Sequence, residues 1–144
     1  WSRSDSSSAA MAPTRDEEES NKPPKRPRED AFVDGLFRYR FRDRLWLFSD
    51  PRGVLVRGTG ASMWSAGMVL ADFFDERPEL YRGAACLELG AGLGAVGLLL
   101  AMCGASNVLL TDTARQLPLL RRNAEENSPG GESVQVRELN WCCE

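Results

Sequence analysis

The first regular pattern along the chain is an alternation of apolar and polar positions between residues 31 and 56. A period of two predicts β-strands with one face buried and the other in solvent. The segment Ser49-Asp50-Pro51-Arg52-Gly53 marks a turn, after which Val54 and Val56 could continue the pattern. We therefore predict an antiparallel hairpin or meander. Its alternating residues are the aromatic Phe37, Tyr39 and Phe41 and the arginines Arg38, Arg40 and Arg42.

The arginines of this pattern are expected on the solvent-facing side of the sheet. A row of arginines beside aromatic residues also occurs on surfaces that bind nucleic acid. Arginine on the wet face of a strand is more often simply solvated. We favour the solvated face and expect no nucleic-acid partner.

A helical period follows a short glycine-containing loop. Trp64, Met68 and Ala71 recur at intervals of four and three residues, which places them on one face of a helix. Val69 and Phe73 form a second pair four residues apart. The pattern predicts an amphipathic helix that ends near residue 74 and buries its apolar face. Trp64 is interpreted as a core residue, or as a ligand contact because it lies beside the loop.

From residue 84 onward, short apolar runs alternate with helical periods, which predicts an α/β fold. Pro118 is tolerated only in the first turn of a helix, so the second helix should begin near residue 115. A β-α-β-α-β order with right-handed crossovers builds half of a doubly wound parallel sheet, with its ligand at the carboxyl ends of the strands. The predicted order is strand 85–89, helix 95–102, strand 108–111, helix 115–127 and strand 134–139.

Composition is consistent with one domain of modest size. The chain has 144 residues, a formal net charge of −3 and no histidine. No apolar run approaches the about 20 residues of a membrane span, and no membrane partner is expected. Without histidine or a C-x-x-C spacing, no metal site is expected. The four cysteines favour a reducing compartment, because the two that are adjacent in sequence, Cys142 and Cys143, have poor geometry for a mutual disulfide. The other two are Cys86 and Cys103.

Residues 1–30 are rich in serine, proline and charged residues and are expected to be a disordered tail, whereas residues 31–144 are expected to form one domain. Residues 22–28 of the tail resemble a basic nuclear-import signal, although a solvated tail is the favoured interpretation. We expect a monomer in the cytoplasm, the nucleus or both. The chain begins with Trp1, Met11 is a plausible start, and the end follows a predicted strand directly. It is therefore expected to be a fragment.

The candidate chemistry lies where the first parallel strand ends. The segment Leu87-Glu88-Leu89-Gly90-Ala91-Gly92-Leu93-Gly94 is a strand that runs into a glycine-rich turn, and Asp112 ends the next strand. Glycines let a backbone approach a nucleotide, and a carboxylate at the second strand accepts hydrogen bonds from ribose hydroxyls. The glycines alone leave both NAD and S-adenosylmethionine open. Glu88, which is awkward in a buried dinucleotide-binding strand, favours S-adenosylmethionine.

Segments on both sides of the turn resemble one family, the seven-β-strand S-adenosylmethionine-dependent protein-lysine methyltransferases of the methyltransferase-like 21 to 23 group. The resemblance runs from about Phe37 to the last residue. It departs from the family at Met63, where valine is usual, and at Asn140, where aspartate is usual. The similar segments are Gly58-Thr59-Gly60, Trp64-Ser65-Ala66-Gly67, the turn with its strand, Gly104-Ala105, Val108-Leu109-Leu110-Thr111-Asp112, the helix bearing Asn123 and Asn127, and Leu139-Asn140-Trp141.

The resemblance implies a Rossmann-like fold and S-adenosylmethionine as cofactor. Asp112 would bind the ribose hydroxyls, or else act as a carboxylate at a helix N-terminus. Trp141 would border the adenine or pack in the core, and Trp64 would close the pocket near the methionine part. Glu88 would contact the amino group of the cofactor or bond to neighbouring backbone. The implied cofactor-binding residues are Trp64, Glu88, Gly90, Ala91, Gly92, Gly94, Asp112 and Trp141.

The resemblance also implies methyl transfer to lysine of a protein partner. This reaction needs an aligned, deprotonated lysine and no covalent enzyme intermediate. The family's Asp-x-x-Tyr motif, which follows its fourth strand, is not present in the sequence, so the catalytic residue is unassigned and the chain by itself is expected to be inactive. The alternatives are a non-catalytic fragment that binds cofactor or a partner, and an NAD-dependent oxidoreductase.

Overall fold

The computed structural model describes residues 30–128 and 133–141. These residues form six strands and three α-helices, with 3₁₀ turns at Thr59–Ala61 and Pro78–Leu80. The predicted tail up to residue 29, with its basic segment, and the pair Cys142 and Cys143 lie outside the described residues. Among the helices described, none combines the length and the hydropathy that a bilayer span requires.

An antiparallel sheet comes first along the described chain. Its strands are β1 (Ala31–Val33), β2 (Leu36–Phe41) and β3 (Leu45–Ser49). They pair in the order β1-β2-β3, so the predicted hairpin or meander is confirmed as a meander. The register places Arg38 opposite Phe48 and Arg40 opposite Trp46.

The turn after β3 is organised by a buried carboxylate. Asp50 is 2% exposed and accepts hydrogen bonds from the backbone N–H groups of Val54, Leu55 and Val56 at 2.6–2.8 Å. These bonds satisfy backbone donors that a strand would have paired with another strand. Val54 and Val56 therefore lie in a loop, and the prediction that they continue the strand pattern is wrong.

A parallel sheet and its helices form the rest of the described chain. The sheet pairs in the order β4-β5-β6, which confirms the predicted β-α-β-α-β order. The second of its helices begins later than predicted, because the N–H of Gln116 closes a turn on the carbonyl of Thr113 at 2.9 Å. The elements are α1 (Ser65–Asp75), β4 (Ala85–Leu89), α2 (Ala95–Met102), β5 (Asn107–Asp112), α3 (Leu117–Asn127) and β6 (Val134–Glu138).

The main core lies between the two sheets. Helices α2 and α3 both contact β3 on one side and strands of the parallel sheet on the other. Residues 95–100 of α2 are all buried, which is expected of a helix that is apolar on every side. Leu45, Leu47 and Leu110 are 0% exposed, so β3 and β5 both contribute to this core.

Arg38 corrects the prediction that the arginine row faces solvent. It is 2% exposed, its Nη2 lies 2.7 Å from Oε1 of Glu126 on α3, and its guanidinium lies 3.8 Å from the ring centre of Trp46. An ion pair and an aromatic ring let a guanidinium be buried where a helix covers the strand. Arg40 is exposed, as predicted.

The predicted buried face of α1 is also mostly wrong. Ala71 is fully buried and Phe74 is half-buried against the main core. The periodicity identified the helix, but it did not identify the side that the rest of the fold covers. The apolar residues left exposed at or on α1 are Trp64 (59%), Met68 (50%), Val69 (66%), Leu70 (44%) and Phe73 (41%).

Candidate functional site

A cavity of about 1000 Å³ lies at the carboxyl ends of β4, β5 and β6. This is the edge at which parallel α/β sheets bind ligands. All but one of the predicted cofactor-binding residues line the cavity, and the exception is Gly94. The lining residues that the sequence predicted are Trp64, Glu88, Gly90, Ala91, Gly92, Asp112 and Trp141.

The glycine-rich turn after β4 is fixed by backbone hydrogen bonds. Gly90, Gly92 and Gly94 have φ angles of 64°, 55° and 75°, in the left-handed region that favours glycine. The N–H of Ala91 donates to the carbonyl of Thr111 at 2.9 Å, and the N–H of Gly94 donates to the carbonyl of Ala91 at 2.7 Å. The turn is therefore attached to the end of β5, with its backbone at the cavity wall.

Gly94 serves packing instead of lining the cavity. It is the N-cap of α2, and a Cβ on it would lie 2.6 Å from Cδ1 of Leu120. Gly97, one turn later, has the same constraint, since a Cβ there would lie 2.3 Å from Cδ2 of Leu110. The last glycine of such a fingerprint commonly allows close packing of helix and strand. The position of Gly94 therefore does not support the prediction that it contacts a cofactor.

Asp112 connects the turn to the end of β5. Its Oδ2 accepts a hydrogen bond from the N–H of Gly92 at 2.8 Å, and its Oδ1 accepts one from the N–H of Thr113 at 2.7 Å. The hydroxyl of Thr113 also donates to Oδ1 at 3.4 Å, whereas Oδ2 keeps a second lone pair, which can accept a bond from a ligand hydroxyl. Helix α3 begins at Leu117 with no side-chain cap, so the alternative role as a helix N-terminal carboxylate is not supported.

Glu88 lies beneath the first turn of α2. Its Oε2 accepts a hydrogen bond from the N–H of Gly97 at 2.8 Å, a donor without a partner inside the helix. Burial raises the pKa of Glu88 to about 7, the bond from Gly97 lowers it, and the negative charge of Asp112 raises it further. The predicted bond to neighbouring backbone is confirmed, although Glu88 also lines the cavity.

Two tryptophans from distant parts of the chain border the cavity. The indole N–H of Trp64 donates to the carbonyl of Thr59 at 2.7 Å, which attaches the start of α1 to the preceding loop. The ring of Trp141 lies 3.1 Å from the position of a Cβ on Gly90. Trp64 is 59% exposed and Trp141 is 69% exposed, so the interpretation of either as a core residue is wrong. Both offer flat apolar surfaces to a ligand.

Sequence reasoning missed the wall that faces the glycine turn. The carbonyl oxygen of Gly60 lies 3.5 Å from the position of a Cβ on Gly92. A Cβ on Gly60 would lie 2.7 Å from Cδ of Gln116, which is 7% exposed and donates from Nε2 to the carbonyl of Arg57 at 3.3 Å. Glycine at positions 58 and 60 was the available signal, because close backbone approach requires it.

A parallel sheet with a glycine turn after its first strand and a carboxylate after its second defines an α/β domain of the nucleotide-cofactor class. A sequence profile described as lysine methyltransferase matches residues 47–144. The chain belongs to the lysine methyltransferase family.

Curated relatives agree with this assignment. The chain is 42% identical over 86 residues to protein N-lysine methyltransferase METTL21A of Danio rerio, with 58% of this chain and 39% of that protein covered. It is 37% identical over 84 residues to EEF1A lysine methyltransferase 3 of Mus musculus, covering 58% and 36%. It is 42% identical over 82 residues to calmodulin-lysine N-methyltransferase of Arabidopsis thaliana, covering 54% and 27%. The chain thus spans between 27% and 39% of these relatives.

A solved structure shows the same fold. A Streptococcus mutans protein assigned as a SAM-dependent methyltransferase superposes with a TM-score of 0.57, covering 76% of this chain and 28% of that chain. The sequence identity is 17%, so the likeness concerns the fold alone. It confirms the predicted Rossmann-like α/β architecture.

Proposed function

We propose that this chain provides the S-adenosylmethionine-binding part of a methyltransferase that modifies lysine in protein substrates. The observation that carries the proposal is the 2.8 Å hydrogen bond between Asp112 and the N–H of Gly92, at the wall of the cavity. This bond fixes a carboxylate and a glycine turn relative to each other. A rigid carboxylate beside an exposed backbone is suited to a nucleoside, because the ribose hydroxyls need an acceptor and the rest of the ligand needs space.

The other residues at the cavity supply complementary surfaces. Trp141, stacked over Gly90, would border the adenine, and Trp64 would close the end near the methionine part. When bound, S-adenosylmethionine supplies a methyl group that is already activated on its sulfonium sulfur. The residues of this chain would therefore bind and orient the cofactor and exclude water from it.

The start of α2 argues against a dinucleotide. In dinucleotide-binding folds, the pyrophosphate lies at the helix N-terminus and accepts its free N–H groups. In this chain the N–H of Gly97 already donates to Glu88 at 2.8 Å, and ionised Glu88 would repel an anion. A cationic ligand does not meet this repulsion. The site therefore favours S-adenosylmethionine over NAD.

Calorimetric titration of the purified chain with S-adenosylhomocysteine and with NADH tests the cofactor. We expect binding of the first and none of the second. Asp112→Asn should weaken binding of S-adenosylhomocysteine by about tenfold or more, since hydrogen bonds to a charged group contribute more than neutral ones. Asp34→Asn is the matched control, because Asp34 is an exposed carboxylate paired with Arg122 at 3.1 Å and away from the cavity. Binding of NADH alone would contradict the proposal.

The lysine acceptor is supported by the family and by relatives whose names specify lysine of EEF1A and of calmodulin. Incubation of the chain with tritiated S-adenosylmethionine and a protein extract, followed by acid hydrolysis, identifies the residue that accepts the methyl group. The chain by itself is expected to be inactive, and any label that it does transfer should be in methyl-lysine and should be abolished by Asp112→Asn. Label in another amino acid or in a small molecule would contradict the lysine assignment, and cofactor binding without any label would restrict the function to binding.

A further inference from the structure

Two asparagines of α3 complete the free edge of β3. The Oδ1 of Asn123 accepts from the N–H of Phe48 at 2.7 Å, and its Nδ2 donates to the carbonyl of Phe48 at 3.1 Å. Asn127 makes the same two bonds to Trp46, both at 2.8 Å. Each side-chain amide therefore substitutes for one residue of a neighbouring strand.

The spacing of these residues explains the fit. Residues four apart on a helix are separated by about 6 Å, and alternate residues on a strand by roughly 6.7 Å. The orientation of each amide follows from its partners, since the N–H of Phe48 can only donate and its carbonyl can only accept. Asn123 is 0% exposed, so neither of the backbone groups it satisfies can turn to water.

Asn123 makes one contact that Asn127 lacks. Its Nδ2 also donates to the carbonyl of Leu93 at 3.0 Å, whereas the Nδ2 of Asn127 donates to the carbonyl of Asn123 at 2.8 Å. Leu93 is the residue between Gly92 and Gly94 and is 2% exposed. The glycine turn is thus held on one side by β5 and on the other by a side chain of α3 that is itself fixed to β3.

We propose that Asn123 is a positioning residue for the cofactor. By holding the carbonyl of Leu93, it fixes the Leu93–Gly94 peptide, whose N–H closes the turn on the carbonyl of Ala91, and the N–H of Gly92 within the same turn is bonded to Asp112. The antiparallel sheet therefore supports the cofactor site through this amide, besides the apolar cluster that Leu36 and Phe48 share with Leu93, although none of its strands reaches the cavity wall. Asn127 has only the structural role. The inference rests on the proposed binding of S-adenosylmethionine.

The pair of asparagines provides the test, since Asn123→Ala and Asn127→Ala each remove an amide from the same strand edge. Both variants should unfold at lower urea concentration than the unaltered chain. At a temperature where each is folded, Asn123→Ala should bind S-adenosylhomocysteine about tenfold more weakly, because the freed carbonyl of Leu93 no longer fixes the turn. Asn127→Ala should bind within about twofold of the unaltered chain, because Asn127 bonds to Trp46 and to the backbone of Asn123 but makes no bond to the glycine turn.

The outcomes separate the two proposals. If the unaltered chain does not bind S-adenosylhomocysteine, both proposals fail. If it binds and the two variants bind equally well or equally poorly, cofactor binding stands and the positioning role of Asn123 is overturned.

A second measurement needs no substitution and applies if Asn123→Ala does not fold. The amide of Phe48 donates to Asn123 and the amide of Trp46 donates to Asn127, so each reports on one asparagine. On addition of S-adenosylhomocysteine, hydrogen exchange at Phe48 should slow several-fold more than at Trp46, because an ordered turn restrains Asn123. Equal changes at the two amides would overturn the proposal.

Discussion

The two flanks of the molecule differ in how far they are covered. On the β3 flank, formed by β3 and α3, Asn123 and Asn127 satisfy the backbone edge, and Leu45 and Leu47 are 0% exposed. On the β4 flank, formed by β4 and α1, no strand pairs with the outer edge of β4 within the described residues. The outward side chains there are apolar, with Leu87 59% exposed and Leu89 54% exposed.

The difference shows that a hydrophobic period identifies a helix or strand but does not identify which of its faces the rest of the fold covers. Both flanks have regular apolar patterns, but only the β3 flank has polar side chains placed to close it. Apolar surface that is left contiguous and exposed is typical of surfaces that contact another part of a protein or a partner. Substitutions on the two flanks should therefore differ in their effect on the isolated chain.

The largest difference is expected between two leucines of the parallel sheet. Leu110→Ala removes a side chain that is 0% exposed in the main core and should lower the free energy of unfolding by about 2–5 kcal/mol. Leu87→Ala, on the adjacent strand, removes a mostly exposed side chain and should lower it by less than about 1 kcal/mol. Urea denaturation followed by circular dichroism measures both. Similar losses would show that the β4 flank is buried in solution.

The elements of the fold were largely predictable because they depend on local pattern. The glycine turn, Asp112 and both border tryptophans were located from motif and spacing, since each follows a predicted strand or precedes a predicted helix. The burial of Arg38 and the exposure of α1 could not be predicted. Each depends on which element covers a face, and that is decided by residues distant in sequence, such as Glu126 for Arg38.

The next largest effect on stability is expected at Glu88, on the inward face of β4. Burial raises its pKa from 4.5 to about 7, so between these pH values the folded chain binds more protons than the unfolded chain. Glu88 therefore destabilises the fold least below pH 4.5, and the free energy of unfolding falls as the pH rises to about 7. Glu88→Gln keeps an acceptor for Gly97 and has no charge. Between pH 4.5 and pH 8, the free energy of unfolding of Glu88→Gln should rise by about 3 kcal/mol relative to that of the unaltered chain.

Urea denaturation at both pH values measures this change, and Glu138→Gln serves as the control. Glu138 is an exposed carboxylate at the end of β6 on the same cavity. Because this side chain is exposed, its replacement should change the free energy of unfolding by less than about 0.5 kcal/mol. A pH dependence that persists in Glu88→Gln would show that another group is responsible.

A pair of helix glycines, one in the main core and one on the β4 flank, should change stability in opposite directions. Gly97→Ala in α2 would place a methyl group 2.3 Å from Cδ2 of Leu110, and overpacking of this kind should lower the free energy of unfolding by about 1–3 kcal/mol. Gly67→Ala in α1 meets only the flexible end of Met63, at 3.2 Å, and alanine should raise stability by about 0.5–1 kcal/mol. Thermal unfolding measures both shifts. Destabilisation by Gly67→Ala would mean that α1 is packed more closely than its exposed side chains indicate.

The smallest effect compares two arginines of one strand. Arg38→Lys keeps the charge but loses the planar group that lies 3.8 Å from the ring centre of Trp46 and pairs with Glu126, so it should lower stability by about 1–2 kcal/mol. Arg40→Lys, which alters an exposed side chain near Asp43, should change it by less than about 0.5 kcal/mol. Urea denaturation of both variants at 0.1 M and 1 M salt adds a second criterion. The loss of stability at Arg38 should persist at high salt because its guanidinium is buried, whereas equal, salt-sensitive changes at both positions would mean that α3 does not cover this face.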